Sequence, residues 1–221
     1  MASSALSPEL VTRSEDVLAH LPAAAATQYF KGQAIYSPDN PSNSIYLVIS
    51  GTVGVSQIAE DGREVLLEIF RADELFGESA FGAAPRRSER AKALENASLM
   101  TWAVSDMENL VVKRPRLAVA LLQVLAHRNA ELTSRIESLS TDRVERRLAR
   151  SLIRLSERLG AAEEDGAVLM MPLTHETLSH YVGTSREVVT QFMNRFRKRG
   201  YVSYSRNGIR LNPGALKAWI S

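Results

Sequence analysis

The chain has 221 residues, 45% of them hydrophobic and 24% charged, with a formal net charge of +2, a composition that fits a folded protein long enough for more than one domain. The absence of cysteine excludes disulfides, thiolate zinc sites, cysteine-ligated iron-sulfur clusters and a cysteine nucleophile. The opening MASSALSPELVTRSEDVLAHLP has no apolar core flanked by positive charge, and no run reaches the ~18 apolar residues of a membrane span, so a cytoplasmic protein is expected.

Charge is unevenly spread. Residues 141–221 hold 14 Lys and Arg against 8 Asp and Glu, a net +6, whereas residues 1–140 are net −4. The basic part is where a polyanionic partner would bind.

From Phe30 to Val104 the chain reads as short β-branched and aromatic runs between turn signals, among them SIYLVISGTVGVSQI, VLLEIF and NASLMTWAV. Many short strands at close spacing predict a small antiparallel roll or sandwich within residues 1–104, with Asp61-Gly62 as a hairpin turn. Over 105–140 the period becomes helical. Ala118, Leu122, Leu125, Asn129, Leu132, Ile136 and Leu139 alternate spacings of four and three, the seam of a two-stranded coiled coil. Asn129 would be its one polar a residue, favouring a parallel dimer. The alternative is one amphipathic helix packed on its own domain, with Asn129 at the edge.

SLSTD (138–142) interrupts this pattern, and Thr141 or Asp142 is suited to cap a further helix carrying Val144, Leu148, Leu152, Leu155 and Leu159 up to Gly160. The last domain is expected over 141–221. In LTHETLSHYVGTSREVVTQFMNRF, Thr174 can cap a short helix, Gly183 supplies a turn and Ser185 can cap a second helix. Val189, Phe192, Met193 and Phe196 would form the second helix's inner face, giving a helix-turn-helix. That leaves Arg186, Glu187, Thr190, Gln191 and Asn194 pointing outward, residue types that read base edges in a major groove. Arg195, Arg197, Lys198 and Arg199 follow where phosphates would lie. YVSYSRNGIRLN predicts two strands around Asn207-Gly208, a wing whose tip carries Arg206 and Arg210.

His20, His127, His175 and His180 show no ligand spacing, and P-loop, GxGxxG and GxSxG motifs are missing. Neither a metal site, nor a bound cofactor, nor an enzyme is expected. Glu163, Glu164 and Asp165 read as a solvated loop.

These stretches together resemble the cyclic-AMP receptor protein/FNR (Crp/Fnr) family of bacterial transcription regulators across nearly the whole chain. PSNSIYLVISGTVGV is similar to the family's roll signature, LFGESAF and RRSERAKA to its phosphate-binding cassette, and LTHETLSHYVGTSREVV to its helix-turn-helix. The resemblance implies an α+β homodimer: a β-roll (jelly-roll) effector domain, a long central dimerisation helix and a C-terminal winged helix-turn-helix that binds palindromic DNA. Contact with RNA polymerase, through the acidic 163–165 loop, comes with that resemblance. It places Gly77, Glu78, Ser79, Arg87 and Ser88 around a cyclic-nucleotide effector such as cyclic AMP, with Thr133 and Ser134 at the base and Leu132 on the alternative register. Physically, a glycine N–H, an arginine fork and a hydroxyl would hold a phosphate, and Glu78 would accept from a ribose hydroxyl. DNA contacts carry over to His175, Thr184, Ser185, Arg186, Glu187 and Thr190, and to Gln191, Asn194, Lys198 and Arg206. Two departures stand out. Gln191 replaces the family's usual third reader, arginine, which alters a TGTGA-like half-site at one base pair. Glu89 follows Arg87-Ser88 where the cyclic-AMP receptor itself has a small residue, and a carboxylate there repels a phosphate. An effector-independent DNA binder is the alternative function.

Overall fold

The computed structural model describes residues 16–82 and 85–220. The reading of residues 1–15 as free of a leader, and Ala83 and Ala84 in the cassette loop, lie outside them. Eight strands come first: β1 (Ala26–Tyr29), β2 (Ala34–Tyr36), β3 (Ser44–Ser50), β4 (Val53–Ile58), β5 (Glu64–Phe70), β6 (Leu75–Phe76), β7 (Arg90–Ala93) and β8 (Ala97–Ala103). They form two antiparallel sheets, ordered β1-β8-β3-β6 and β2-β7-β4-β5. Alternation along the strands turns Val53 and Val55, Ala91 and Ala93, and Ala97 and Leu99 inward, where they close on Val48, Phe70 and Phe76. The expected turn at Asp61-Gly62 joins β4 to β5.

The central segment differs from the single helix expected over 105–140. It is α1 (Val104–Lys113) followed by α2 (Pro115–Thr141), broken at Arg114, which sits at φ −135°, ψ 76°. Pro115 is the physical reason. It lacks an N–H, it disfavours helical geometry in the preceding residue, and it suits the first position of a new helix. Met107, Leu117 and Ala120 bury the inner faces of both helices against Ile45, Leu47 and Trp102 of the roll. Further along α2, Leu122, Leu125, Asn129, Leu132, Ile136 and Leu139 remain exposed, Leu122 at 64% and Ile136 at 63%. An apolar stripe this long is not covered by the described residues of its own chain.

α3 (Val144–Leu159) starts at Arg143 without a side-chain cap. Asp142, expected as a cap, instead accepts from the Ser138 hydroxyl at 2.6 Å and pairs with Arg146 and Arg150 at 3.4 and 3.2 Å. Thr141 closes α2, its hydroxyl donating to the Glu137 carbonyl. Then follow β9 (Gly160–Ala162), β10 (Val168–Met170), α4 (His175–Val182), α5 (Arg186–Lys198), β11 (Val202–Ser205), β12 (Gly208–Leu211) and α6 (Pro213–Ile220). The small sheet runs β11-β12-β10-β9. Its core of Leu148, Leu152, Leu178, Val189, Met193 and Phe196 is continuous with Leu66 and Ile69 of β5, so the last domain packs directly on the roll. No helix among the described residues is long and apolar enough to cross a membrane.

Candidate functional site

The two-helix unit is built by local chemistry that the sequence exposes. Thr174 Oγ1 accepts the Thr177 N–H at 3.0 Å, capping α4. Gly183 ends α4 in the left-handed region, φ 72°, which a side chain would oppose. Ser185 Oγ then accepts the Val188 N–H at 3.3 Å and starts α5. Val189, Met193 and Phe196 are fully buried and Phe192 partly so, which turns the opposite face of α5 to solvent. Arg186, Glu187, Gln191 and Asn194 are exposed there, Lys198 lies exposed at the end, and Thr184 and Thr190 are half-buried beside them. One surface therefore combines a hydrogen-bond donor fork, a carboxylate and two amides with positive charge, the set that reads bases between phosphates.

His175 has a positioning part. Its Nδ1 lies 2.8 Å from Thr190 Oγ1 on α5 and its Nε2 2.9 Å from the Tyr204 hydroxyl on β11, so one ring ties the two helices to the wing. Burial, and then the nearby Arg186 cation, hold its pKa below the ordinary 6.5. The unfolded chain therefore takes up the proton more readily. Stability contributed by neutral His175 is complete above about pH 6.5 and is lost as the pH falls toward the lower folded value. Urea denaturation at about pH 7.5 and about pH 5.5 should show an acid-side loss of stability that is smaller in His175→Gln; an equal loss in the variant would assign it to other groups.

Two cations expected at the DNA surface are engaged elsewhere. Arg195 is held by both carboxylate oxygens of Glu145 on α3 at 2.9 Å. Arg210 lies on β12 away from the tip, bound to Glu163 at 2.6 Å and to Asp165. The acidic loop thus neutralises a wing arginine. Arg206 occupies the exposed turn between β11 and β12, and Arg197 and Arg199 stay exposed.

Sequence reasoning missed the residues that aim the unit. Arg147 of α3 donates to the carbonyls of Val182 and Gly183, at 2.8 and 3.2 Å. Arg135 of α2 donates to the Tyr181 carbonyl at 3.2 Å and to the carbonyls of Leu66 and Leu67 in the roll, and stacks 4.2 Å over the Tyr181 ring. Two cations therefore sit at the negative end of α4, one reaching in from the central helix. Their acceptors are 35 and 46 residues away in sequence, so no local pattern marks them.

The cassette takes an arrangement the residue types alone did not foretell. Gly77 adopts φ 86° before a 3-10 turn over Glu78–Phe81, and a Cβ there would stand 3.1 Å from the Ser44 carbonyl oxygen and 3.2 Å from Arg87 Nη1. Arg87, 3% exposed, donates to the Gly77 carbonyl at 2.8 Å, to Ser79 Oγ at 3.0 Å and to the Ser44 carbonyl, beneath the Tyr36 ring at 4.2 Å. Its Nε is buried without a hydrogen-bond partner. Ser88 is exposed and donates to Glu89 at 3.1 Å. Glu78, expected at a ribose, is paired with Arg128 of α2 at 2.7 Å. Within the chain, Thr133 and Ser134 do not meet these groups. The Thr133 hydroxyl donates to the Asn129 carbonyl, and Ser134 accepts from Arg154 of α3. The polar residues of α2 turned toward the roll are Arg128 and Arg135, with Glu131 beside them. A cavity of about 490 Å³ opens beside them, lined by Arg71, Glu74, His127 and Arg158 among others and, from the cassette, by Leu75 and not by Gly77, Glu78, Ser79, Arg87 or Ser88. No group of His, Asp and Glu among the described residues could hold a metal ion.

Comparison with known proteins gives two family matches: the cyclic nucleotide-binding domain over residues 26–114 and the Crp-like helix-turn-helix domain over residues 146–219. A CRP-like cAMP-activated global transcriptional regulator of Mycobacterium tuberculosis is 31% identical over 180 residues, 78% of this chain and 77% of its own. The transcriptional regulator SdrP of Thermus thermophilus is 34% identical over 163 residues, 73% of this chain and 76% of its own. Among solved structures, FixK2 of Bradyrhizobium japonicum superposes with a TM-score of 0.78 at 21% identity, over 89% of this chain and 97% of that one, a likeness of fold.

Proposed function

The chain belongs to the Crp/Fnr family of transcription regulators, and from that premise we propose that it is a cytoplasmic homodimer that binds a palindromic operator and is controlled by a small molecule acting on its roll. The observation that carries the DNA reading is α5 itself. Val189, Met193 and Phe196 of its apolar face are fully buried while Arg186, Glu187, Gln191 and Asn194 project from the other. Two such helices, brought together along the exposed α2 stripe, would enter successive major grooves about 34 Å apart. The acidic loop, with its charge partly engaged by Arg210, is the surface proposed to face RNA polymerase.

Control by the roll has a structural route. Arg135 and Arg158 connect strand β5 and the β5–β6 turn to α4 and α3, so a shift of the roll against α2 changes how the recognition helix is presented. An effector can bias that presentation only by binding its two arrangements with different affinity. The cyclic nucleotide-binding match and the cAMP-activated relative support a small molecule at the roll.

Fluorescence anisotropy on an operator and on scrambled DNA tests the residue roles. Arg186→Ala should lose about 1–3 kcal/mol on the operator and relax specificity at one base pair, whereas Lys198→Ala should weaken binding to every sequence and lower the salt slope. Equal losses on all sequences from both variants would contradict the assignment.

A further inference from the structure

The anion seat of the cassette already contains an anion. Glu89 is 7% exposed and its carboxylate accepts from Ser79 Oγ, from Ser88 Oγ at 3.1 Å and from the Tyr36 hydroxyl at 3.3 Å, while standing 3.6 Å from Arg87 Nη1. Among these, the serine hydroxyls of Ser79 and Ser88 and the Arg87 guanidinium are the donors that a phosphate would need. Burial, and then the Glu89 charge, push the Tyr36 phenol well above its ordinary value, so it stays a neutral donor to this carboxylate. The position of Glu89 in the chain explains its direction. It immediately precedes β7, whose Ala91 and Ala93 turn inward, so the same alternation carries its side chain into the roll.

We infer that Glu89 is a built-in anion that takes the place of an effector phosphate in this roll, neutralising Arg87 and excluding cyclic nucleotides from the cassette. The inference deepens the regulator reading and rests on it: the small molecule that controls this chain does not enter by placing a phosphate on Arg87. Two anions competing for one buried cation repel each other, and the carboxylate is tethered at high effective concentration, so a free cyclic nucleotide competes poorly.

Calorimetric titration of cyclic AMP and cyclic GMP into the full-length protein, its Glu89→Ala variant and the Arg87→Ala/Glu89→Ala double variant tests this. The wild type should show no saturable binding at micromolar concentration. Glu89→Ala should bind at least about 100-fold more tightly, and the double variant should lose that gain. Micromolar binding by the wild type, or no gain in a Glu89→Ala protein whose melting temperature and operator affinity are unchanged, overturns the inference. If Glu89→Ala does not fold, Glu89→Ser, which keeps a hydroxyl near Ser79 and Tyr36, carries the same expectation and the same overturning result. Binding of the wild type to double-stranded DNA at low salt, which does not depend on an effector, is measured alongside. Its absence would count against the regulator reading and leave the Glu89 result standing.

Discussion

Replacing Leu122 and Ile136 together by lysine is expected to yield a folded monomer whose operator affinity has fallen by about 10² to 10⁴-fold, the gain that linking two binding modules provides. Within one chain both side chains are already largely in solvent, at 64% and 63% exposure, so Leu122→Lys and Ile136→Lys remove little packing from the protomer. Between two chains they would face each other at a positions, and the substitution would place four ammonium groups in an apolar seam. Sedimentation velocity reads the assembly state and anisotropy reads the affinity. A dimer of undiminished stability would mean that the stripe serves some other surface.

Arg158→Ala should destabilise the protein by about 3–5 kcal/mol, the range for removing one partner of a buried ion pair. From α3 the guanidinium contacts Glu68 of β5, Glu74 at 3.0 Å and Glu131 of α2 at 3.7 Å, and donates to the Ile69 carbonyl at 3.2 Å. Burial works against its charge, but the carboxylates of Glu68, Glu74 and Glu131 more than offset it and raise its pKa. Truncation strands Glu68, itself 8% exposed, in a place it shares with Leu66 and Ile69. Arg158→Met, which keeps most of the volume, should be nearly as destabilised because the missing quantity is charge. Urea denaturation at neutral pH decides. A loss below about 1 kcal/mol would place this network among solvated ion pairs of little weight.

What the sequence made legible was governed by short-range rules. Thr174, Gly183 and Ser185 mark the ends of α4 and α5 because capping and a left-handed turn need particular residues at fixed positions. Asp61-Gly62 marks the β4–β5 hairpin for a similar reason, Gly62 lying at φ 81°, whereas the β11–β12 turn is Arg206-Asn207, one residue earlier than the expected Asn207-Gly208, and Gly208 opens β12 opposite Ser205. The break at Arg114 was available too, in Pro115, but the sustained helical period around it masked the signal.

Long-range charge pairing was not legible. That Arg195 turns to Glu145 and Arg210 to Glu163, while Arg147 and Arg135 hold the end of α4, depends on how α2, α3 and the small sheet come together. Periodicity gives a side chain's face and is silent about the partner it finds there. Glu89 shows the same limit. Its charge was visible as an obstacle to a phosphate, yet its insertion into the seat follows only from the register in which Ala91 pairs with Val55 and Tyr36.

The central claim is a dimer that reads DNA sequence with α5, and selection of binding sites from a random DNA pool by the full-length protein tests it most directly. The expected product is a palindrome with half-site centres about 10–10.5 base pairs apart, retaining guanine and cytosine contacts for Arg186 and Glu187 and departing from a TGTGA-like half-site where Gln191 reads. No enriched sequence, or an enriched single half-site without symmetry, would contradict it.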